Sequence, residues 1–270
     1  MKIIKVPFLS MLIGLLTILA ACGGSGESSG DKNKELEVVT DAAYAPFEYM
    51  NGDKIVGFDI DFMDAVMEEA GYTPKYKNIG WDPLFVEIQG EKADVAISAI
   101  TINDDRKQTY DFSTPYFESR NMILIPEDSD IQSAEDLKGK KVAVQNGTTG
   151  QAAVEKILGT NHKDIKKFDN NTLAIMELVQ GGVDAVVADN SVVLEYAKNN
   201  PDKKLKTISD EDNFESEFYG LMFPKGSDLK ADFDKAVKEV IENGTYAEIY
   251  KEWFGDEPDL EALKQQMENE

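Results

Sequence analysis

From Leu36 onward the chain alternates short strand-like runs with helical segments, and this alternation restricts the possible folds most. Leu36-Glu37-Val38-Val39-Thr40 reads as a strand. Ile60, Met63, Val66, Met67 and Ala70 recur at helical spacing and stop at Gly71. Further strands are predicted over 72–79, 93–97, 121–125, 141–145, 165–168, 183–188 and 218–223. Helices are predicted over 151–158, 172–180, 191–198, 228–242 and 246–253, with a short one opened by Asp82-Pro83. Ser133 to Asp136 has capping-box spacing. Such a pattern builds an α/β protein of mainly parallel sheets covered by helices. From Asp256 the tail is acidic and reads as a loosely held helix or as disorder.

The first residues read as an address. Lys2 and Lys5 precede an apolar run from Val6 to Ala21, broken only by Ser10 and Thr17. A spanning helix needs about 20 apolar residues. This shorter run has the form of a signal peptide over 1–21. It ends in Leu19-Ala20-Ala21-Cys22, which holds the chain's one Cys. The box resembles a bacterial lipobox, which implies lipidation of Cys22 and anchoring by acyl chains such as palmitate. One chain alone anchors marginally, since each buried CH₂ contributes about 0.8 kcal/mol. Residues 22–35 are polar and Gly/Ser-rich at first, and read as a flexible tether.

Composition removes whole classes of function. Lys and Arg number 28 against 51 Asp and Glu, for a formal charge of −23. Loss of Lys2 and Lys5 takes it to −25. A chain this acidic repels phosphate backbones, so no nucleic-acid partner is expected. With one Cys and one His, a disulfide framework, a zinc cluster or a Cys–His nucleophile pair is not expected. No cofactor or metal is expected, and His162 reads as a solvated surface residue in a polar loop.

Several segments, taken in order, resemble the bacterial extracytoplasmic solute-binding proteins for polar amino acids, family 3. They are Thr40–Glu48, Gly57–Asp61, Ser98–Arg106, Tyr110–Tyr116, Asn146–Gly150, Asp184–Asp189 and Glu242–Tyr246. The resemblance runs from about Leu36 to Gly255. It implies a two-lobed periplasmic-binding-protein-like fold, type II, with two hinge strands near Tyr116–Arg120 and Ser216–Gly220. Lobe one would comprise 36–115 and 221–255, lobe two 121–215, and the acidic tail 256–270. Ligands bind at strand C-termini in such folds and at domain interfaces. The resemblance also implies an L-amino-acid ligand, an ABC permease as partner and a monomeric chain. Its place would be the extracytoplasmic face of a Gram-positive membrane, held by lipid on Cys22.

The resemblance assigns Arg106 to the ligand α-carboxylate, which a planar guanidinium can hold bidentately. From the residues alone, Arg106 could equally pair with Asp104 or Asp105. Thr101 and Thr149 offer hydroxyl and N–H donors, and Thr149 precedes a helix, where capping is the alternative. Asp189 would accept from the α-ammonium, helped by Ser98 and the Ala99 carbonyl; alternatively it caps the following helix. Asp41, Tyr44, Trp81 and Gln145 would face the ligand side chain. Tyr44 and Trp81 could stack on a guanidinium, at about 1 kcal/mol each, or simply pack in the core. Asp59 is expected to cap a helix and support its lobe.

Specificity is divided. Glutamine-binding relatives also carry the Asp at Asp41, but have Lys at the place of Gln145, His at that of Ala188, and usually Phe at that of Tyr44. Basic-amino-acid binders carry Tyr there and a pair like Thr148-Thr149. Cystine binders usually lack the acid at Asp41, and an acidic ligand would need a second cation. Arginine or a related basic residue is the expected ligand, with glutamine second. Two other classes compete: an enzyme on the same fold, such as a dehydratase lacking the zwitterion-reading groups, and a sensor fused to membrane or signalling segments.

Overall fold

The computed structural model describes residues 34–268. The expected signal peptide, Cys22 and most of the tether lie outside them. The first strand starts at Lys34, so the last two residues assigned to the tether belong to a sheet.

That sheet has five strands, in the order Tyr72–Asn78, Lys34–Thr40, Val95–Ala96, Met222–Pro224, Tyr110–Phe112. Strand alternation sends successive side chains to opposite faces. Leu36, Val38 and Val95 join Phe58, Phe62 and Val237 on one face. Val39 and Ala96 join Trp81, Leu84 and Ile88 on the other. The second sheet has six strands. Its main path runs Ile165–Phe168, Val142–Gln145, Ala185–Asp189, Phe117–Pro126, Leu205–Ile208. Ile123, Ile125, Val142, Val144 and Val187 fill one of its faces, and Leu124, Ala143, Val186 and Ala188 the other. Each fully buried Val, Leu or Ile contributes about 1.5–3 kcal/mol. This two-sided burial explains why these strands read as unbroken apolar runs.

Both sheets are mixed rather than mainly parallel. Met222–Pro224 runs antiparallel to both neighbours, and Phe117–Pro126 runs antiparallel to each of its partners. These are the strands that the chain forms after crossing between lobes. Phe117–Pro126 pairs at its start with Ser216–Tyr219, Phe117 opposite Tyr219 and Arg120 opposite Ser216. The two segments join the lobes side by side. Phe117 stacks on Tyr219 at 5.5 Å and meets Phe47 edge-on at 4.9 Å, which roots the crossing in lobe one.

Three further departures have local causes. The expected strand 218–223 is two strands, Ser216–Tyr219 and Met222–Pro224, because the chain passes at Gly220 from pairing with Phe117–Arg120 to pairing in the first sheet. A Cβ there would lie 2.8 Å from Ile102 Cδ1. A small antiparallel sheet of Ala43–Tyr44, Glu48–Asn51 and Lys54–Val56 was not expected; it turns at Gly52, where φ is +63°. The acidic tail holds a helix, Glu261–Glu268, whose Leu263 is buried in the core of lobe one.

Candidate functional site

Between the lobes lies a cavity of about 400 Å³, its open mouth included. All ten residues expected to meet a ligand line it: Asp41, Tyr44, Trp81, Ser98, Ala99, Thr101, Arg106, Gln145, Thr149 and Asp189. Asn121, Thr148, Gly150, Asn171 and Ala188 complete the wall. Gly150 is required by space: a Cβ would stand 3.0 Å from both Asn121 Oδ1 and the Val187 carbonyl.

The floor comes from lobe one. Ser98 Oγ accepts from the Asp41 N–H at 3.1 Å and donates to Glu48 Oε1 at 2.7 Å. Ala99 sits at φ +48°, unusual for a residue with a Cβ. Its N–H donates to Asp59 Oδ2 at 2.8 Å, and Tyr116 donates to the same carboxylate at 3.0 Å. Asp59 is therefore no helix cap. Gly57 occupies that position, and Asp59 holds the site floor from beneath. Burial pushes Asp59 up to about 6 and Glu48 well above the usual carboxylate range.

Arg106 stands on the short helix Asp104–Lys107, capped by Asn103, whose Oδ1 accepts from the Arg106 N–H at 2.9 Å. Its guanidinium donates to the Thr101 carbonyl at 2.8 Å. It lies 5.4 Å from the Trp81 ring centre and 5.3 Å from that of Phe85. Burial lowers its pKa to about 10, which leaves it a cation at neutral pH; Glu217 and Asp189 oppose the shift. One face of Trp81 thus belongs to Arg106.

From lobe two, Asp189 ends the strand Ala185–Asp189. It occupies the N-cap position of the next helix without a capping hydrogen bond. Its Oδ2 accepts instead from Tyr44 at 2.5 Å and Tyr219 at 2.6 Å. Burial raises its pKa; the two tyrosine hydroxyls and Arg106 pull it back. The capping of the Thr149–Leu158 helix falls to Thr148, which accepts from the Gln151 N–H at 3.3 Å. Thr149 opens the helix, and its hydroxyl donates to Glu217 at 2.7 Å. At the far end Gln145 donates to Asp41 at 3.1 Å and accepts from Asn171 at 2.9 Å. Asp41 is raised by burial and by Asp82, with Gln145 lowering it.

Sequence reasoning missed Asn121, Asn171, Tyr219 and Glu217. Asn171 stands just before the predicted helix 172–180 and opens the observed one, Asn171–Val179. The other three lie on or beside the crossing strands, and only long-range pairing brings them to the site. Among the described residues no group of three or more His, Cys, Asp or Glu side chains could hold a metal, and no helix is long and apolar enough to cross a membrane.

The family model for bacterial extracellular solute-binding proteins, family 3, matches residues 36–256. The chain belongs to that family. The crystal structure of the arginine-, lysine-, histidine-binding protein ArtJ from Geobacillus stearothermophilus is 58% identical. It superposes with a TM-score of 0.84 and covers 86% of this chain and 100% of its own. A probable histidine-binding protein of Neisseria gonorrhoeae is 38% identical over 246 residues, 88% of this chain and 91% of its own. An ancestral arginine-binding protein is 41% identical in two structures. Bound to arginine it gives a TM-score of 0.78 over 83% of this chain and 100% of its own. Bound to glutamine it gives 0.77 over 83% and 99%. Family members bind solutes outside the cytoplasm, and the fold is the two-lobed one of these neighbours.

Proposed function

We propose that the chain is the substrate-binding component of an ABC importer for basic L-amino acids, arginine first. One observation carries the preference: two carboxylates, Asp41 and Asp189, and one cation, Arg106, line the cavity among its described residues. A zwitterion uses Arg106 and Asp189 and leaves Asp41 in want of a cation. A guanidinium or ammonium supplies it, with charge-assisted hydrogen bonds that offset desolvation. Arg106, Thr101 and Thr149 take the α-carboxylate; Asp189, Ser98 and Ala99 take the α-ammonium. Asp41, Gln145, Tyr44 and the free part of Trp81 meet the side chain. The similar proteins named for arginine, lysine and histidine support this reading.

Glutamine is the second reading, favoured by the ancestral arginine-binding protein solved with glutamine. Its amide also satisfies Asp41, with fewer charge-assisted bonds. Binding rather than catalysis follows from the retained zwitterion-reading pair. We assign 36–115 and 221–255 to lobe one and 121–215 to lobe two, and the active species to a monomer that docks on a permease. Lipid on Cys22 holds it at a Gram-positive cell surface; Cys22→Ser should release it into the medium, and full retention in membranes would refute the anchor. The ligand is tested by thermal shift with the twenty amino acids, since ligand at 100 times Kd adds about 2.7 kcal/mol of stability. Competition then ranks arginine, lysine, histidine and glutamine. Glutamine displacing arginine at equal or lower concentration would overturn the basic reading.

A further inference from the structure

Glu217 lies on the crossing strand Ser216–Tyr219, yet its carboxylate reaches both lobes. Oε2 accepts from the hydroxyl of Thr101, in lobe one, and from that of Thr149, in lobe two, each at 2.7 Å. Oε1 accepts from Asn121 Nδ2 at 2.7 Å. Three donors converge on one group, and an ionised carboxylate accepts at both oxygens. Hydrogen bonds to a charged acceptor are about twice as strong as neutral ones. Thr101, Asn121 and Thr149 line the ligand cavity on one side and a rear, solvent-open space on the other; Glu217 and Lys156 line the rear space alone. Glu217 therefore stands behind the ligand wall.

The two threonine hydroxyls come from opposite lobes. Both can reach one oxygen only while the lobes meet. An opening that parts Thr101 from Thr149 would break this shared contact, and that is the kind of differential interaction a population shift requires.

We propose that Glu217 is a clasp: its carboxylate ties Thr101 of one lobe to Thr149 of the other, and so sets how slowly a bound amino acid leaves. It is a positioning residue, acting through the threonines rather than on the ligand. The kinetic part rests on the amino-acid-binding reading above; the clasp itself rests on the lobe contacts. A tie made after closure slows dissociation and leaves encounter unchanged.

The test uses Glu217→Ala in the mature chain with Cys22→Ser, which leaves no other cysteine. Exposed Val86 and Leu194, one on each lobe, are changed to Cys and carry spin labels for lobe distances. Loss of the clasp should raise the arginine dissociation rate about tenfold, with the association rate within about threefold of the parent. The lobe-distance distribution without added amino acid should shift to longer values. Glu217→Gln keeps one acceptor oxygen and should restore part of both properties. Thr149→Val removes the lobe-two hydroxyl; because Thr149 also lines the ligand cavity, its readout is the lobe distance without added amino acid, which should lengthen as in Glu217→Ala and keeps the test open if Glu217→Ala fails to fold. Unchanged lobe distances in Glu217→Ala and Thr149→Val overturn the clasp, whatever the kinetics. Longer distances in a chain that binds no amino acid would support the clasp and refute the proposed ligand class.

Discussion

The two ends of the cavity are built on different plans. At the amino-acid end the polar groups are tied down from several elements. Asp189 holds two tyrosine hydroxyls, Arg106 is fixed by the Thr101 carbonyl and two rings, and Thr101 and Thr149 share Glu217. At the side-chain end a line of amides, Asn171 to Gln145, leads to Asp41, with Gln145 also donating to the Asp169 carbonyl at 3.2 Å. Among the described residues Trp81 Nε1 and Asn171 Oδ1 have no hydrogen-bond partner there, and at the first end Asn121 Oδ1 has none. On the proposed reading the first end takes what all amino acids share and the second tells ligands apart. Preorganised groups contribute most because little ordering remains to be done on binding.

The largest effect should come from Arg106→Ala. Truncating one partner of a buried charge pair costs about 2–5 kcal/mol. Arginine and glutamine should lose affinity alike, and calorimetry showing either within about threefold of the parent would end the carboxylate assignment. Asp41→Asn should separate the two ends. Arginine should weaken by about 1.5–3 kcal/mol, the range for hydrogen bonds to charged groups, and glutamine by less. Equal losses would place Asp41 outside side-chain recognition.

The pH dependence comes from the support beneath and behind the site. Asp59 rises from an ordinary 3.8 to about 6, chiefly through burial, and Glu217 from 4.5 to about 7, through burial and then Asp189. The folded chain thus holds protons that the unfolded chain has released. Stability from these groups is complete below about pH 4 and is lost as pH rises through 6 to 7. The melting temperature should fall by about 5 °C or more between pH 5 and pH 7.5. A flat or rising profile would contradict the shifts, and Glu217→Gln should flatten its upper part. The smallest effect should be Tyr44→Phe. Asp189 keeps Tyr219 and loses one hydroxyl, so binding should weaken by about 0.5–1.5 kcal/mol. The ring proposed to meet the ligand side chain is kept, so arginine and glutamine should suffer equally; a loss confined to arginine would show that the hydroxyl, too, reads the side chain.

The same contrast explains what was legible in the sequence. Strand periodicity and helix stops located most elements to within a few residues, because burial on two faces leaves a local apolar signature. All ten expected site residues meet at one cavity because they sit at strand ends and turns, where the chain marks itself with Gly, Thr, Asn and Asp. Glu217 and Tyr219 had no such mark. Their meaning depends on a strand pairing between distant parts of the chain, Phe117 with Tyr219. The apolar stretch around Gly220 concealed a break between two sheets, and the close approach of Ile102 that calls for glycine there comes from a distant part of the chain. Asp59 looked like a cap because acids favour helix starts. Nothing local shows that Ala99 would be its partner.

The bond between Gln145 and Asp41 has an evolutionary consequence. One residue belongs to each lobe, and each completes the other. A replacement of either one leaves its neighbour with a missing donor or acceptor in a confined space unless the new side chain supplies it. Substitutions at the two positions are therefore expected to be coupled, each constrained by the side chain that the other lobe presents.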